Sequence, residues 1–214
     1  MKEYFKNKEA LSVVLNMIDE IQANRDYLSD VDGKIGDGDH GVNMNKGFTL
    51  CRGKIEGKPY SFSEGLDILG KTLLMEIGGS MGPLYGKFFI EMSKSVQDEV
   101  DKQVILDMLE SGIKAIQLLS KAQPGDKTLI DTLMPATEAY RAAVADDLSF
   151  HEALLKLKEA SERGMMSTKE MVAKIGRASR LGERSKGVLD PGAASCNIIL
   201  QSLSDGIIKL CDMN

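Results

Sequence analysis

Three aspartates, Asp32, Asp37 and Asp39, fall within eight residues and are interleaved with Gly33, Gly36, Gly38 and Gly41. Glycine permits backbone angles that turn several carboxylates toward one point. Hard oxygens gathered this way suit Mg²⁺, which completes its shell with water and substrate phosphates. A cation also relieves the mutual repulsion of crowded carboxylates. The same spacing fits a polar turn whose aspartates cap the next helix, and from spacing alone both readings stand. Asp30 suits the solvated turn better. A calcium EF-hand is excluded: counted from Asp30, position six is Ile35 rather than Gly and position twelve is Gly41 rather than Glu. His40 follows the acidic run, either as a helix-start residue or as a hydrogen-bond donor to a phosphate. His151, in the first turn of another helix, carries no assigned chemistry.

Three more segments have types suited to anions. Gly78-Gly79-Ser80-Met81-Gly82-Pro83 is a glycine-rich turn feeding a helix start, where free amides and the helix dipole attract negative charge. It lacks the Gly-Lys-Ser/Thr ending of a Walker loop, and a glycine helix stop followed by a proline start looks similar. Gly125-Asp126-Lys127-Thr128 opens a helix, with Thr128 available to a nucleotide or Asp126 acting as an ordinary N-cap. The segment Ile175–Pro191 carries Arg177, Arg180, Arg184 and Lys186. It reads as a solvated basic run or as a source of bidentate phosphate contacts.

The elements that must position these residues are helical. Leu11, Val14, Leu15, Ile18 and Ile21 follow the spacing of a buried helical stripe. A second helix is expected from His40 to about Arg52, and a third through Leu66, Leu69, Leu73 and Leu74. The fourth has Pro83 in its first turn, and the fifth carries Val104, Ile105, Met108, Leu109 and Ile116. The sixth starts near Asp126 and passes through Pro135, a site for a kink. Ser149 and Glu152 have capping-box spacing at the head of the seventh, and Asp190-Pro191 forms an N-cap and first-turn pair for the eighth. Eight antiparallel helices with short connections make an up-and-down bundle, with no convincing strand. The loops Ser29–His40, Gly78–Gly82, Ala122–Lys127 and Lys174–Pro191 follow helices one, three, five and seven, so all four should meet at one end.

At 214 residues with 43% hydrophobic and 28% charged residues, the chain can bury one large core, read as a single domain over 1–214. A net charge of −5 argues against nucleic acid as the main partner. Cys51, Cys196 and Cys211 are scattered and odd in number, which fits a reducing compartment without a disulfide framework. The opening Met1–Lys6 has no apolar signal region and no stretch approaches a membrane span. A cytoplasmic protein with no membrane partner is expected.

These motifs resemble one family. Ile35-Gly36-Asp37-Gly38-Asp39-His40-Gly41, Gly78-Gly79 with Gly82-Pro83-Leu84-Tyr85-Gly86, Gly125-Asp126-Lys127-Thr128, and Gly176-Arg177-Ala178-Ser179 with Leu181-Gly182-Glu183-Arg184-Ser185 and Asp190-Pro191-Gly192 are similar to the DhaL family, the nucleotide-binding subunit of dihydroxyacetone kinase. The resemblance spans residues ~5–210 in the family's order. It implies an eight-helix antiparallel barrel holding ADP or ATP at its open end. It also implies two Mg²⁺ ions on Asp32, Asp37 and Asp39. Nucleotide contacts fall on His40, Gly41, Asn43, Gly79, Ser80, Thr128, Leu129, Arg177 and Asp190, with Arg177 also catalytic.

The implied partners are a dihydroxyacetone-binding kinase subunit and a phosphohistidine carrier of the phosphotransferase system. A transcriptional activator and a second copy of the chain are further partners to test. Members that exchange ATP commonly fuse both domains, so a free-standing chain favours the phosphotransferase-linked branch. Ser80-Met81, Lys87, Leu129, Arg180 and Val188 depart from the common family pattern. They leave open an ATP-exchanging subunit for another short ketose, a non-catalytic regulatory paralogue, and a plain helical interaction module.

Overall fold

The computed structural model describes residues 2–213. Helices α1 (Leu11–Ala23) and α2 (Arg25–Gly33) form the first rod, followed by α3 (His40–Ile55), α4 (Phe62–Glu76) and α5 (Met81–Ser95). The chain continues through α6 (Lys102–Ser120), α7 (Ile130–Ala145), α8 (Phe150–Ser167) and α9 (Pro191–Met213). The α1 stripe buries Val13, Val14, Met17, Ile18 and Ile21, while Leu11 and Leu15 pack at its margin. Each rod lies against the next in sequence and α9 returns to α1, closing the ring. One continuous apolar core fills its inside.

The boundaries have local causes. Ser61 and Glu64 form a capping box on α4, and Ser149 and Glu152 form the expected one on α8. Asp101 caps α6 by accepting from the Val104 amide at 2.9 Å. Asp190 accepts from the Ala193 amide at 2.7 Å at the head of α9. Helices α4 and α5 approach closely where two glycines face: a Cβ on Gly70 would lie 2.7 Å from the Gly86 carbonyl oxygen.

Two local features differ from the sequence expectation. The segment expected to be loop from Ser29 is helical through Gly33, because α2 buries Leu28 and Val31 against the core. The first rod breaks at Asn24, whose side-chain amide donates to the Glu20 carbonyl at 2.8 Å and closes α1. The chain thus has nine α-helices among the described residues, arranged as eight rods. A two-stranded antiparallel ribbon, β1 (Tyr4–Lys6) with β2 (Glu99–Asp101), sits at the end away from the four long loops. Pro135 lies inside α7, which continues as helix to Ala145.

All three cysteines are buried and free, and burial pushes their thiols above the ordinary range. No helix among the described residues is long and apolar enough to cross a membrane.

Candidate functional site

The loops between α2 and α3, α4 and α5, α6 and α7, and α8 and α9 meet at one end around a cleft of about 800 Å³. Antiparallel alternation of the rods is what brings these four segments together.

Asp32 comes from the last turn of α2 and is only 8% exposed, while Asp37 and Asp39 lie on the loop that follows. One oxygen from each carboxylate lies within 4.8 Å of the others. The Gly36 amide donates to the Asp32 carbonyl at 2.6 Å, and a Cβ on Gly36 would fall 2.3 Å from Asp32 Oδ1. A side chain there would push the carboxylate out of place. Burial, then the charges of Asp37 and Asp32, raise the Asp39 pKa above the usual carboxylate value. The Arg177 guanidinium, which bonds Asp37, holds that carboxyl below it. Three hard oxygens in mutual repulsion, with an arginine already drawn to them, fit a divalent cation. The helix-cap alternative fits less well: Asp39 precedes α3 but makes no side-chain cap bond. Asp32 alone reaches the helix start, accepting from the His40 amide at 3.3 Å.

His40 is buried behind the acidic loop. Its Nε2 lies 2.9 Å from Ser195 Oγ, and Ser195 Oγ lies 2.7 Å from the Tyr85 hydroxyl. Tyr85 in turn donates to the Gly192 carbonyl at 3.1 Å. Burial lowers His40 to about 4, so the imidazole is neutral at physiological pH. Gly78, Gly79 and Ser80 form the opposite lip and lead into the amino end of α5, whose Ser80 N-cap makes no side-chain cap bond. The free first-turn amides of α5 are thus available to an anion.

Between α6 and α7 the chain does not use Asp126 as the helix cap. Asp126 accepts from the Gln123 amide at 2.8 Å, and α7 begins only at Ile130. The cause is Lys127, held at φ +62°, which an α-helix does not accommodate. Buried Asp131 fastens the turn by accepting from the amides of Gly125 and Thr128. The Lys127 side chain is 1% exposed and its ammonium donates to main-chain carbonyls of the segment that links α8 to α9. That segment carries two short 3₁₀ stretches, Thr168–Glu170 and Arg177–Ser185. It presents Ile175, Gly176 and Arg177 to the cleft. At its end Asp190 is half-buried, and burial raises its carboxyl to about 7 against the opposing pull of the Ala193 amide and Lys127.

The family model described as the DAK2 domain matches residues 34–205, which contain most of this site. The chain belongs to the DhaL family. It is 38% identical over 191 residues to the ADP-binding subunit DhaL of the PEP-dependent dihydroxyacetone kinase of Escherichia coli, covering 87% of this chain and 90% of that one. It is 36% identical over 188 residues to the corresponding subunit of dihydroxyacetone kinase 1 of Listeria innocua, covering 86% and 89%. The fold matches the crystal structure of the dihydroxyacetone kinase from C. freundii in complex with AMP-PNP and Mg²⁺, with a TM-score of 0.71 at 20% identity. That match covers 96% of this chain and 35% of the longer one.

In this DhaL-family chain the cleft brings together Asp32, Asp37, Asp39, His40, Asn43, Gly79, Ser80, Thr128, Leu129, Arg177 and Asp190. Gly41 lies off the cleft. Its missing side chain makes room for α2, since a Cβ would sit 2.0 Å from the Arg25 carbonyl oxygen. Of the basic run, Arg177 lines the cleft while Arg180, Arg184 and Lys186 do not. Sequence reasoning missed Ser195, Asp131 and the role of Lys127. Lys127 and Tyr85 stood inside quoted motifs, so their positions were flagged although their contacts were not. Ser195, one small residue within an apolar helix, gave no signal.

Proposed function

We propose that residues 1–214 act as one domain, the magnesium-nucleotide-binding subunit of a dihydroxyacetone kinase. On this reading the subunit carries ADP/ATP with two Mg²⁺ ions and passes a phosphoryl group to dihydroxyacetone on a partner subunit. A phosphohistidine carrier of the phosphotransferase system restores the ATP. The observation that carries the reading is the convergence of three carboxylates, a free helix amino end and Arg177 on one cleft. Relatives named as ADP-binding kinase subunits, matched over most of both chains, support it.

Asp32, Asp37 and Asp39 would hold the metal, which when bound neutralises phosphate charge and orients the phosphates. Phosphoryl transfer asks for positioning and charge stabilisation more than covalent help, and this chain supplies both. The amides at Gly79 and Ser80 and the first turn of α5 would receive phosphate oxygens. Arg177 would leave Asp37 and stabilise the transferring group. The neutral His40, aligned by Ser195 and Tyr85, would contact a phosphate without adding charge. Asn43, Thr128, Leu129 and Asp190 would line the rest of the nucleotide.

The test is phosphoryl transfer to dihydroxyacetone in the complex reconstituted with both partner subunits. Asp37→Asn is expected to abolish transfer and to weaken Mg·ADP binding by more than about tenfold, the equivalent of about 1.4 kcal/mol. Full activity of that variant would refute the metal assignment.

A further inference from the structure

The ammonium of Lys127 is bound in an unusual way. Its Nζ donates to the carbonyl oxygens of Ser185 at 2.6 Å, Val188 at 2.7 Å, Thr168 at 2.8 Å and Met171 at 3.2 Å. An ammonium has three protons, so four acceptors at these distances resemble a coordination shell more than a set of paired hydrogen bonds. All four are main-chain carbonyls, the donor type that replaces the hydration shell of a potassium ion in a selective filter. Burying a charge this fully costs free energy, and a methylene chain of the same length would fill the space without that cost. The charge itself is therefore what gathers the carbonyls.

The four acceptors are the two stems of one loop. Thr168 opens the first 3₁₀ turn and Met171 follows it, while Ser185 ends the second stretch and Val188 lies just past it. Between the stems lies Arg177, and just beyond them Asp190. The other ties are scattered: the Gly187 amide to the Lys169 carbonyl at 2.7 Å, the Ala173 amide to Ser185 Oγ at 2.9 Å, the Asp190 amide to Thr168 Oγ1 at 3.1 Å, the Lys174 amide to the Asp126 carbonyl at 3.1 Å, and the ion pairs Lys174–Asp126 and Arg177–Asp37.

We propose that Lys127 is a positioning residue that works as a tethered monovalent cation. Its ammonium fastens the 168–190 segment so that Arg177 and Asp190 face the cleft, and the carbonyl cage that it fills is a latent site for potassium or ammonium ion. The roles of Arg177 and Asp190 rest on the proposed function; the anchoring does not.

Two variants separate the anchor from simple packing. Lys127→Ala empties the cage, whereas Lys127→Met fills it with a neutral side chain. Tryptic cleavage at Arg177, Arg180 and Arg184 is followed without nucleotide, in choline chloride and in potassium chloride of equal ionic strength. The intact protein should resist in both salts. Lys127→Ala should be cut about tenfold faster or more in choline and return toward the wild-type rate in potassium. Lys127→Met should be cut fast in both. Mg·ADP affinity of Lys127→Ala should fall and recover in the same salts. Should Lys127→Ala be unfolded in choline by circular dichroism, refolding on addition of potassium upholds the proposal. Wild-type resistance of Lys127→Ala in choline, equal cleavage in both salts, or a chain unfolded in both overturns it. A wild-type protein that binds no ADP would sink the proposed function while leaving the proteolysis result standing.

Discussion

Asp190 couples the site to pH. Its carboxyl is raised from 3.8 to about 7 because burial disfavours the charged form, and Asp131 adds repulsion. The Ala193 amide and Lys127 oppose the shift, and Tyr85 and Cys196 sense the same carboxylate. The folded chain therefore holds a proton that the unfolded chain releases between pH 3.8 and about 7. In that window the folded state binds more protons, so this contribution to stability is full below the lower value and is lost as pH rises through the upper one. Asp190→Asn keeps a capping oxygen without the charge. The advantage of the variant in melting temperature should be smallest below pH 3.8, grow as pH rises and level off above about pH 7, as read by thermal unfolding across that range. A second residue-scale expectation concerns Arg177, which competes for Asp37 with any bound cation. Arg177→Ala should bind Mg²⁺ alone more tightly and Mg·ADP more weakly, two opposite changes measurable by titration calorimetry.

The close crossing of α4 and α5 matters at the scale of the element, since α4 ends and α5 begins at the glycine lip of the cleft. A Cβ on Gly86 would lie 2.8 Å from Leu74 Cβ and 2.9 Å from the Gly70 carbonyl oxygen. Gly86→Ala should cost about 1–3 kcal/mol by overpacking, checked by urea unfolding. What the sequence revealed about elements follows from how local their causes are. The α8 capping box and the Asp190-Pro191 start of α9 rest on contacts three residues apart and were legible. Helix α2 was not. Its nine residues are mostly polar, with only Leu28 and Val31 buried among the apolar ones, so its stripe is too short to register. The start of α7 was misplaced because Lys127 spends its side chain on carbonyls 41 to 61 residues away. No local pattern encodes those partners.

Across the whole molecule, the closed ring of antiparallel rods turns four distant segments into one mouth, which is why the alternation of loops was enough to foresee their meeting. The rim of that mouth carries a few exposed apolar side chains among polar ones. Met75 at the end of α4 is 78% exposed and Leu118 near the end of α6 is 75% exposed, with Leu119 and Met166 also outside. On the proposed reading this rim meets the dihydroxyacetone-binding subunit, because the cleft must be covered for transfer between chains. Replacing Met75 and Leu118 together by Glu should leave Mg·ADP affinity unchanged and sharply lower transfer in the reconstituted complex. Equal transfer would move the docking surface elsewhere. Whether three carboxylates hold the nucleotide through a divalent cation is tested most directly by stripping the purified protein with a chelator and titrating ADP back with and without Mg²⁺. ADP should bind with Mg²⁺ and lose that binding without it, and Asp37→Asn should bind little ADP in either case. ADP binding of equal strength with and without the metal would contradict the metal assignment.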